Sequence, residues 1–384
     1  MSDSVQAQPC FGAPPGSSAE RSIPVAALET ELWFKALEGV PQDPVHHAEG
    51  DVATHSRMAL EALVALKEYQ DLPPERQEVM RWAVALHDVA KPYCTQHSDD
   101  GRVTAHGHSR RGELMARRIL WEAGVPAGRR EHIAALIRHH QLPFWALERT
   151  DLERIVLRVS LLASNEDLAL LATADILGRI CDDQAQVLEN IELFRGYCRE
   201  LGVYQRPWDF ASDHSRFMYF RTPGRDPRYA AYDDTRCTVT VMSGFPGAGK
   251  DTWIAANRPD SPVVSLDALR AKLNISPSAD QRPVAAAAYE VARDHLRQRR
   301  DFVWNATNIS RQQRDMCVGL AAAYHARVEI VALEVSPDVL HSRNAGRAHR
   351  VPDDVLKRLK DRWEAPDLTE AHRVERVDTE RFVD

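Results

Sequence analysis

The stretch Gly244-Phe-Pro-Gly-Ala-Gly-Lys250-Asp251-Thr252 decides how the second half of the chain is read. It leaves a run of β-forming residues at 237–242 and enters a segment of helical character at Thr252-Trp253. Strand, glycine loop and helix, in that order, make a phosphate cradle. Gly244, Gly247 and Gly249, with the small Ala248 among them, let backbone N–H groups converge on phosphate oxygens, and the helix N-terminus adds positive potential. Lys250 can reach the outer phosphates of ATP. A plain glycine-rich turn does not account for that lysine. Asp251 stands where a Ser or Thr hydroxyl usually meets Mg2+, and Thr252 comes one place later. Thr252 is therefore expected to touch phosphate, with magnesium held mostly through water. Asp251 either belongs to the nucleotide site or is a first-turn acid that favours the helix dipole.

Working outward, β-rich runs at 262–264, 301–304 and 328–335 alternate with helical segments such as 284–300. That alternation predicts a parallel sheet covered on both faces. Ser265-Leu-Asp267-Ala-Leu-Arg270 follows the second run. Asp267 can accept the proton of an attacking hydroxyl and Arg270 can hold a phosphoryl oxygen, although D-x-x-R is also a common helix start. Arg343 and Arg347 are four apart, so on a helix they share a face and can close on ATP phosphates as a lid. The plainer alternative is a solvated basic helix. Asn305, in Asn305-Ala-Thr-Asn308, occupies the end of the third run, where an acidic magnesium residue is expected.

The first half has a different texture. Residues 1–27 are rich in Ser, Gly, Pro and Ala and predict a disordered tail. Over 28–201 apolar residues recur at helical spacing, with stripes at 77–87, 110–121 and 130–138 and no convincing strand. His55, His87-Asp88 and Asp175 all fall in segments that read as helices. Imidazole and carboxylate ligands with open positions suit a hydrolytic metal such as Mn2+, Co2+ or Ni2+. A lone His-Asp pair would be weak, being commonly a cap or a satisfied core group. His106-Gly-His108 and His139-His140 lie between the last two elements, and His108 and His140 rank first as ligands of a second metal or of a substrate phosphate. Lys91, one turn after His87, can meet a phosphate or be solvated. From 202 to 235 the periodicity fails around Pro207, Pro223, Gly224 and Pro227, and Trp208, Phe210, Phe217, Tyr219 and Phe220 predict a packed connector. The second domain then occupies 236–384.

A chain of 384 residues with 44% hydrophobic content can build two cores. The net charge of -7 argues against nonspecific coating of nucleic acid, but it is unevenly placed. From Arg236 onward there are 23 basic and 21 acidic residues, +2; before it there are 26 and 35, -9. The six cysteines (Cys10, Cys94, Cys181, Cys198, Cys237, Cys317) lack C-x-x-C spacing, which fits neither a zinc knuckle nor a disulfide framework. Reduced thiols, no membrane span and no apolar centre in residues 1–21 give the expectation of a cytoplasmic protein.

His55, His87-Asp88 and Asp175 resemble the HD phosphohydrolase superfamily, and the strings around His108 and His140 look like those in HD domains of tRNA nucleotidyltransferases. The second half resembles the 5'-hydroxyl polynucleotide kinases of end-healing systems, through its glycine loop, Asp267-x-x-Arg270 and the Arg343 to Arg347 lid. Together the halves are similar to bacterial HD-domain polynucleotide kinase fusions. The resemblance implies an all-α HD domain (28–201) followed by an α/β P-loop kinase domain with a parallel sheet. It further implies ATP-dependent phosphorylation of 5'-OH ends of RNA or DNA, with Asp267 as general base, Lys250 and Thr252 on ATP phosphates, and Arg270 on phosphoryl oxygens. The HD metal, on His55, His87, Asp88 and Asp175, would serve removal of 2' or 3' terminal phosphates. No K-x-D-G ligase signature is present, so sealing would fall to a separate ligase. Two other readings stay open: an HD nucleotide phosphohydrolase joined to a small-molecule kinase, and a nucleotide-sensing regulator without turnover.

Overall fold

The computed structural model describes residues 28–99, 101–347 and 349–380. The predicted tail, 1–27, lies outside them. The chain divides into two compact units, the first ending at Trp208 and the second beginning at Asp209. The division falls inside the stretch read as a connector.

The first unit is helical: α1 (Val52–Ala65), α2 (Pro74–Leu86), α3 (His108–Glu122), α4 (Ala127–His139), α5 (Leu152–Leu162), α6 (Asn165–Leu177) and α7 (Gln184–Glu200). α6 is buried along nearly its whole length, as a helix apolar on every side must be. Caps fix where the site-bearing helices begin. Asp51 accepts from the Thr54 amide at the start of α1, and Ser164 accepts from Glu166 and Asp167 at the start of α6. α6 approaches α1 so closely that Gly178, just past its end, has no room for a Cβ. Two details depart from the sequence reading. A small antiparallel ribbon pairs Gln96–His97 with Val103–Thr104 around Gly101, which has a positive φ. Second, α2 ends at Leu86, so His87 is its C-cap and Asp88 lies in the following turn, not within a helix.

The second unit opens with α8 (Asp213–Arg221), which arises from the aromatic stretch and inserts Phe217 into the core. Its Arg216 donates to the Leu368 and His372 carbonyls, so 209–235 packs as part of this unit. The sheet comprises β1 (Cys237–Ser243), β2 (Val263–Ser265), β3 (Phe302–Asn305), β4 (Ala326–Glu334) and β5 (Arg373–Asp378). All neighbours pair in parallel, in the order β2-β3-β1-β4-β5. β1 sits at the centre and is buried at every position except Thr238. Burial on both faces is what a central parallel strand requires, and Thr240 and Ser243 are small β-forming or polar residues that it can still bury. The helices are α9 (Lys250–Asn257), α10 (Leu266–Lys272), α11 (Arg282–Arg297), α12 (Arg311–Ala323), α13 (Pro337–Ala345) and α14 (Asp353–Asp361). Because the strands are parallel, Ser243, Ser265, Asn305 and Glu334 all end at one edge of the sheet, where such folds bind ligands.

Candidate functional site

Four histidines of the first unit share one local device. In His87, His108 and His140 the Nδ1 atom faces the carbonyl of the residue three earlier, Val84, Ala105 and Ile137, at 2.7, 2.7 and 2.8 Å. In His55 it faces Glu49 Oε1 at 3.0 Å and the Gly178 carbonyl at 3.3 Å. Those oxygens only accept, so each Nδ1 carries the proton and each Nε2 of a neutral ring is bare. The bare atoms then converge. His55 and His87 bring their Nε2 atoms within 3.2 Å, and His108 and His140 within 3.3 Å. Asp175 Oδ1 is 3.1 Å from His55 Nε2, and Asp88 Oδ2 is 3.1 Å from His87 Nε2. Asp88 Oδ1 faces the other pair, 3.4 Å from His108 and 3.9 Å from His140.

Lone pairs and carboxylate oxygens opposed at this range repel unless a cation lies among them. Metal bonds of about 2.1 Å place neighbouring donors about 3 Å apart, which is the spacing found. Both Asp88 oxygens are buried without a hydrogen-bond partner, and Lys91 Nζ lies 2.7 Å from Oδ2 as an ion pair. The donor set fits divalent metal on one or both sides of Asp88. His106 is exposed and His139 half-buried, and neither joins the cluster.

The electrostatics keep the two carboxylates ionised, as metal ligands must be. Burial raises the Asp88 and Asp175 carboxyls, but close partners outweigh it and hold both well below the usual range: His87 and Lys91 at Asp88, the Arg179 guanidinium and a hydrogen bond with His55 at Asp175. Burial opposes charge on His87, yet Asp88 draws the ring upward. His140, buried and facing His108 and His87, is pushed down to about 3 and is held as a neutral ligand.

Several partners were not among the residues singled out from sequence. Glu49 accepts from both His47 and His55. Arg179 grips both oxygens of Asp175 at 2.9 and 3.0 Å, and Gln42 accepts from Lys91 at 2.6 Å. The string His46-His47-Ala-Glu49, close before His55, and the four-residue spacing of Asp175 and Arg179 were the signals available.

In the second unit the glycine loop leaves the C-terminal end of β1. Gly244 passes so near the Leu333 carbonyl that a Cβ would lie 2.9 Å from it. Gly249 has φ +92 and turns the chain into α9, whose first N–H groups have no side-chain cap. Lys250 Nζ donates to the Gly244 and Phe245 carbonyls at 3.0 and 2.9 Å, folded over its own loop. Burial lowers the Lys250 ammonium to about 8, with Asp251 and Asp267 opposing and Arg347 assisting. Asp251 and Thr252 are exposed on the first turn of α9. Asp251 Oδ1 accepts from Asn305 Nδ2 at 2.6 Å.

Asp267 follows Ser265, the N-cap of α10, and is bonded by Arg270, which also donates to Gln281. Its side chain is 85% exposed. Arg343 lies against Gly247 and Gly249, and its guanidinium donates to Thr379 Oγ1 and carbonyl at 3.1 and 2.9 Å. Arg347 does not share its helical face, because α13 stops at Ala345 with Gly346 as C-cap. Its charge still reaches Lys250. Thr379 is a further residue that the sequence reading missed.

Two family models match the chain: an HD domain over residues 52–164 and an AAA domain over 239–366. The multifunctional CCA protein of Halorhodospira halophila is 36% identical over 114 residues, 29% of this chain and 25% of its own length. The A-adding tRNA nucleotidyltransferase of Deinococcus radiodurans is 36% identical over 109 residues, 28% of this chain and 23% of its own. The chain thus spans about a quarter of the length of these curated relatives. Among solved structures, a candidate kinase from Chloroflexus aurantiacus J-10-fl has a TM-score of 0.33 at 20% identity, covering 39% of this chain and 91% of that one. An unliganded sugar kinase from Janibacter sp. HTCC2649 has a TM-score of 0.30 at 20% identity, covering 38% and 86%. Among the described residues no helix is long and apolar enough to cross a membrane. The chain carries a helical HD domain followed by an α/β domain of P-loop, kinase-like architecture.

Proposed function

We propose that the chain is a bifunctional nucleic-acid end-healing enzyme: its second unit phosphorylates 5'-OH ends of RNA or DNA with ATP, and its first removes 2' or 3' terminal phosphates. The observation that carries the kinase half is Asp267. It lies near enough to Lys250 to act on its charge, yet its carboxylate is open to solvent, so an acceptor of any length can present a terminal hydroxyl. Lys250 would exchange the Gly244 and Phe245 carbonyls for the outer phosphates, and the loop amides and α9 would orient them. Asp267 would take the hydroxyl proton, with Arg270 on a phosphoryl oxygen and Arg343 beside the loop. Mg2+ bound with the nucleotide supplies charge neutralisation across the β and γ phosphates.

In the first unit His55, His87, Asp88 and Asp175 would hold one divalent ion, and Asp88 with His108 and His140 a second. Such an ion polarises a phosphoryl oxygen and acidifies water. Lys91, beside Asp88, would bind an oxygen of the departing phosphate. The Deinococcus relative is named for acting on tRNA, which supports a polynucleotide end as the substrate. Joining the healed ends is left to a separate ligase.

The test combines labelled ATP with short 5'-OH RNA and DNA, and 3'-phosphorylated oligonucleotides with a divalent-metal panel. Label is expected on the 5' end and lost in Lys250→Ala and Asp267→Ala, while His87→Ala and Asp88→Ala lose phosphate release alone. Label that moves only to a small molecule, or to nothing, overturns the reading.

A further inference from the structure

We propose that Asp251 makes the phosphate loop select magnesium-complexed nucleotide and reject free nucleotide, an inference that rests on the loop binding a nucleoside triphosphate. The residue after the loop lysine lies on the first turn of α9, where uncapped amides supply the positive field that draws in phosphate. A neutral side chain there would leave that field intact. A carboxylate cancels part of it and repels the ligand's own charges.

Lys250 feels this charge, but among the described residues no ion pair takes it up. Among the described residues Asp251 forms no ion pair with Lys, Arg or His, and its side chain has one hydrogen bond, from the neutral amide of Asn305. Lys250, its neighbour, points its ammonium at the Gly244 and Phe245 carbonyls instead. The carboxylate is exposed, yet one hydrogen bond orients it. Asn305 is buried at the C-terminal end of β3 and holds Oδ1 at 2.6 Å, and Oδ2 has no hydrogen bond. A repulsive group beside a phosphate site is offset most directly by a cation that arrives with the ligand. Magnesium is a hard ion that takes carboxylate oxygens, and the magnesium complex of a triphosphate carries two fewer negative charges than the free form. Free triphosphate therefore meets repulsion, whereas its complex meets a further oxygen donor or a donor to the ion's water shell.

The experiment is titration calorimetry of the full chain with a non-hydrolysable ATP analogue, in saturating magnesium and in EDTA, for the wild type, Asp251→Asn, Asp251→Ser and Lys250→Ala. In the wild type the magnesium complex is expected to bind at least about a hundredfold more tightly than the free analogue. Both Asp251 variants should shrink that ratio by about tenfold or more, with free-analogue binding strengthened. The Ser variant restores the usual hydroxyl and guards against an effect peculiar to the amide. Lys250→Ala should abolish binding in both buffers. Loss of binding in Lys250→Ala with an unchanged ratio in both Asp251 variants overturns the selectivity and leaves the loop's role intact. Undiminished binding in Lys250→Ala overturns both.

Discussion

Asn305 Nδ2 donates to Asp251 Oδ1 at 2.6 Å, which ties the C-terminal end of β3 to the first turn of the phosphate-binding helix. The two positions at which the sequence departs from the usual kinase pattern are therefore one unit. A conventional acid at the strand end would face the Asp251 carboxylate and repel it, whereas the amide can donate to it. Asn305→Ala is expected to weaken magnesium-nucleotide binding about three- to tenfold. The double variant with Asp251→Ala should bind no more weakly than Asp251→Ala alone, since the pair acts together. Additive losses in that calorimetric cycle would assign the two residues separate roles.

Nucleotide affinity should depend on pH through Lys250. Burial lowers its ammonium to about 8 in the free protein, and phosphate oxygens around it would raise that value on binding. A cationic group whose value rises on binding contributes its full affinity below the free value and loses it as pH climbs. Affinity is expected to be flat below about pH 8 and to fall by up to about tenfold per unit above it, towards the ordinary lysine value. Calorimetry from pH 6.5 to 9.5 checks this, and affinity that does not fall across that range refutes it.

What could be read from the sequence was what lies contiguous in it. The glycine loop declares itself because Gly244 to Lys250 are neighbours and β1 before them is a run of β-forming residues, while His55, His87-Asp88 and Asp175 stand out as polar residues in apolar surroundings. β5 was not legible: Arg373-Val-Glu-Arg-Val-Asp378 is a charged edge strand, half-exposed along much of its length, and hydrophobic runs do not reveal it. Gln42 and Thr379 escaped because their roles exist only after folding brings them to Lys91 and Arg343, while Glu49 and Arg179 left only a short local spacing to His55 and Asp175 as a signal. The Arg343 to Arg347 spacing misled, since helical reach assumes a helix that Gly346 ends.

Asp88 is the residue through which the two histidine pairs communicate, so variants should separate them by metal content. Wild-type protein dialysed after loading with Mn2+ is expected to retain two ions per chain, His140→Ala one, and Asp88→Asn none. Glu49→Gln keeps every ligand but weakens the orientation of His55, and such outer partners commonly carry about 10- to 100-fold of metal affinity. Mass spectrometry of the metal content reads each outcome. One ion in the wild type and one in His140→Ala would reassign His108 and His140 to phosphate.

Packing between α1 and α6 should control the metal site from a residue that is no ligand. A Cβ added at Gly178 would lie 2.5 Å from the Ala59 nitrogen and 2.7 Å from its Cα, both backbone atoms of α1, so neither side can yield by rotating a side chain. α1 carries His55 and α6 carries Asp175, whose facing atoms are 3.1 Å apart, and the Gly178 carbonyl itself faces His55 Nδ1. Gly178→Ala is expected to cost about 1–3 kcal/mol of stability, the usual range for overpacking, and to lower metal retention. Nucleotide binding by the second unit should persist. Differential scanning calorimetry with and without chelator reads the first effect, and a variant as stable and as metal-rich as the wild type would show that the helices can part without disturbing the ligands.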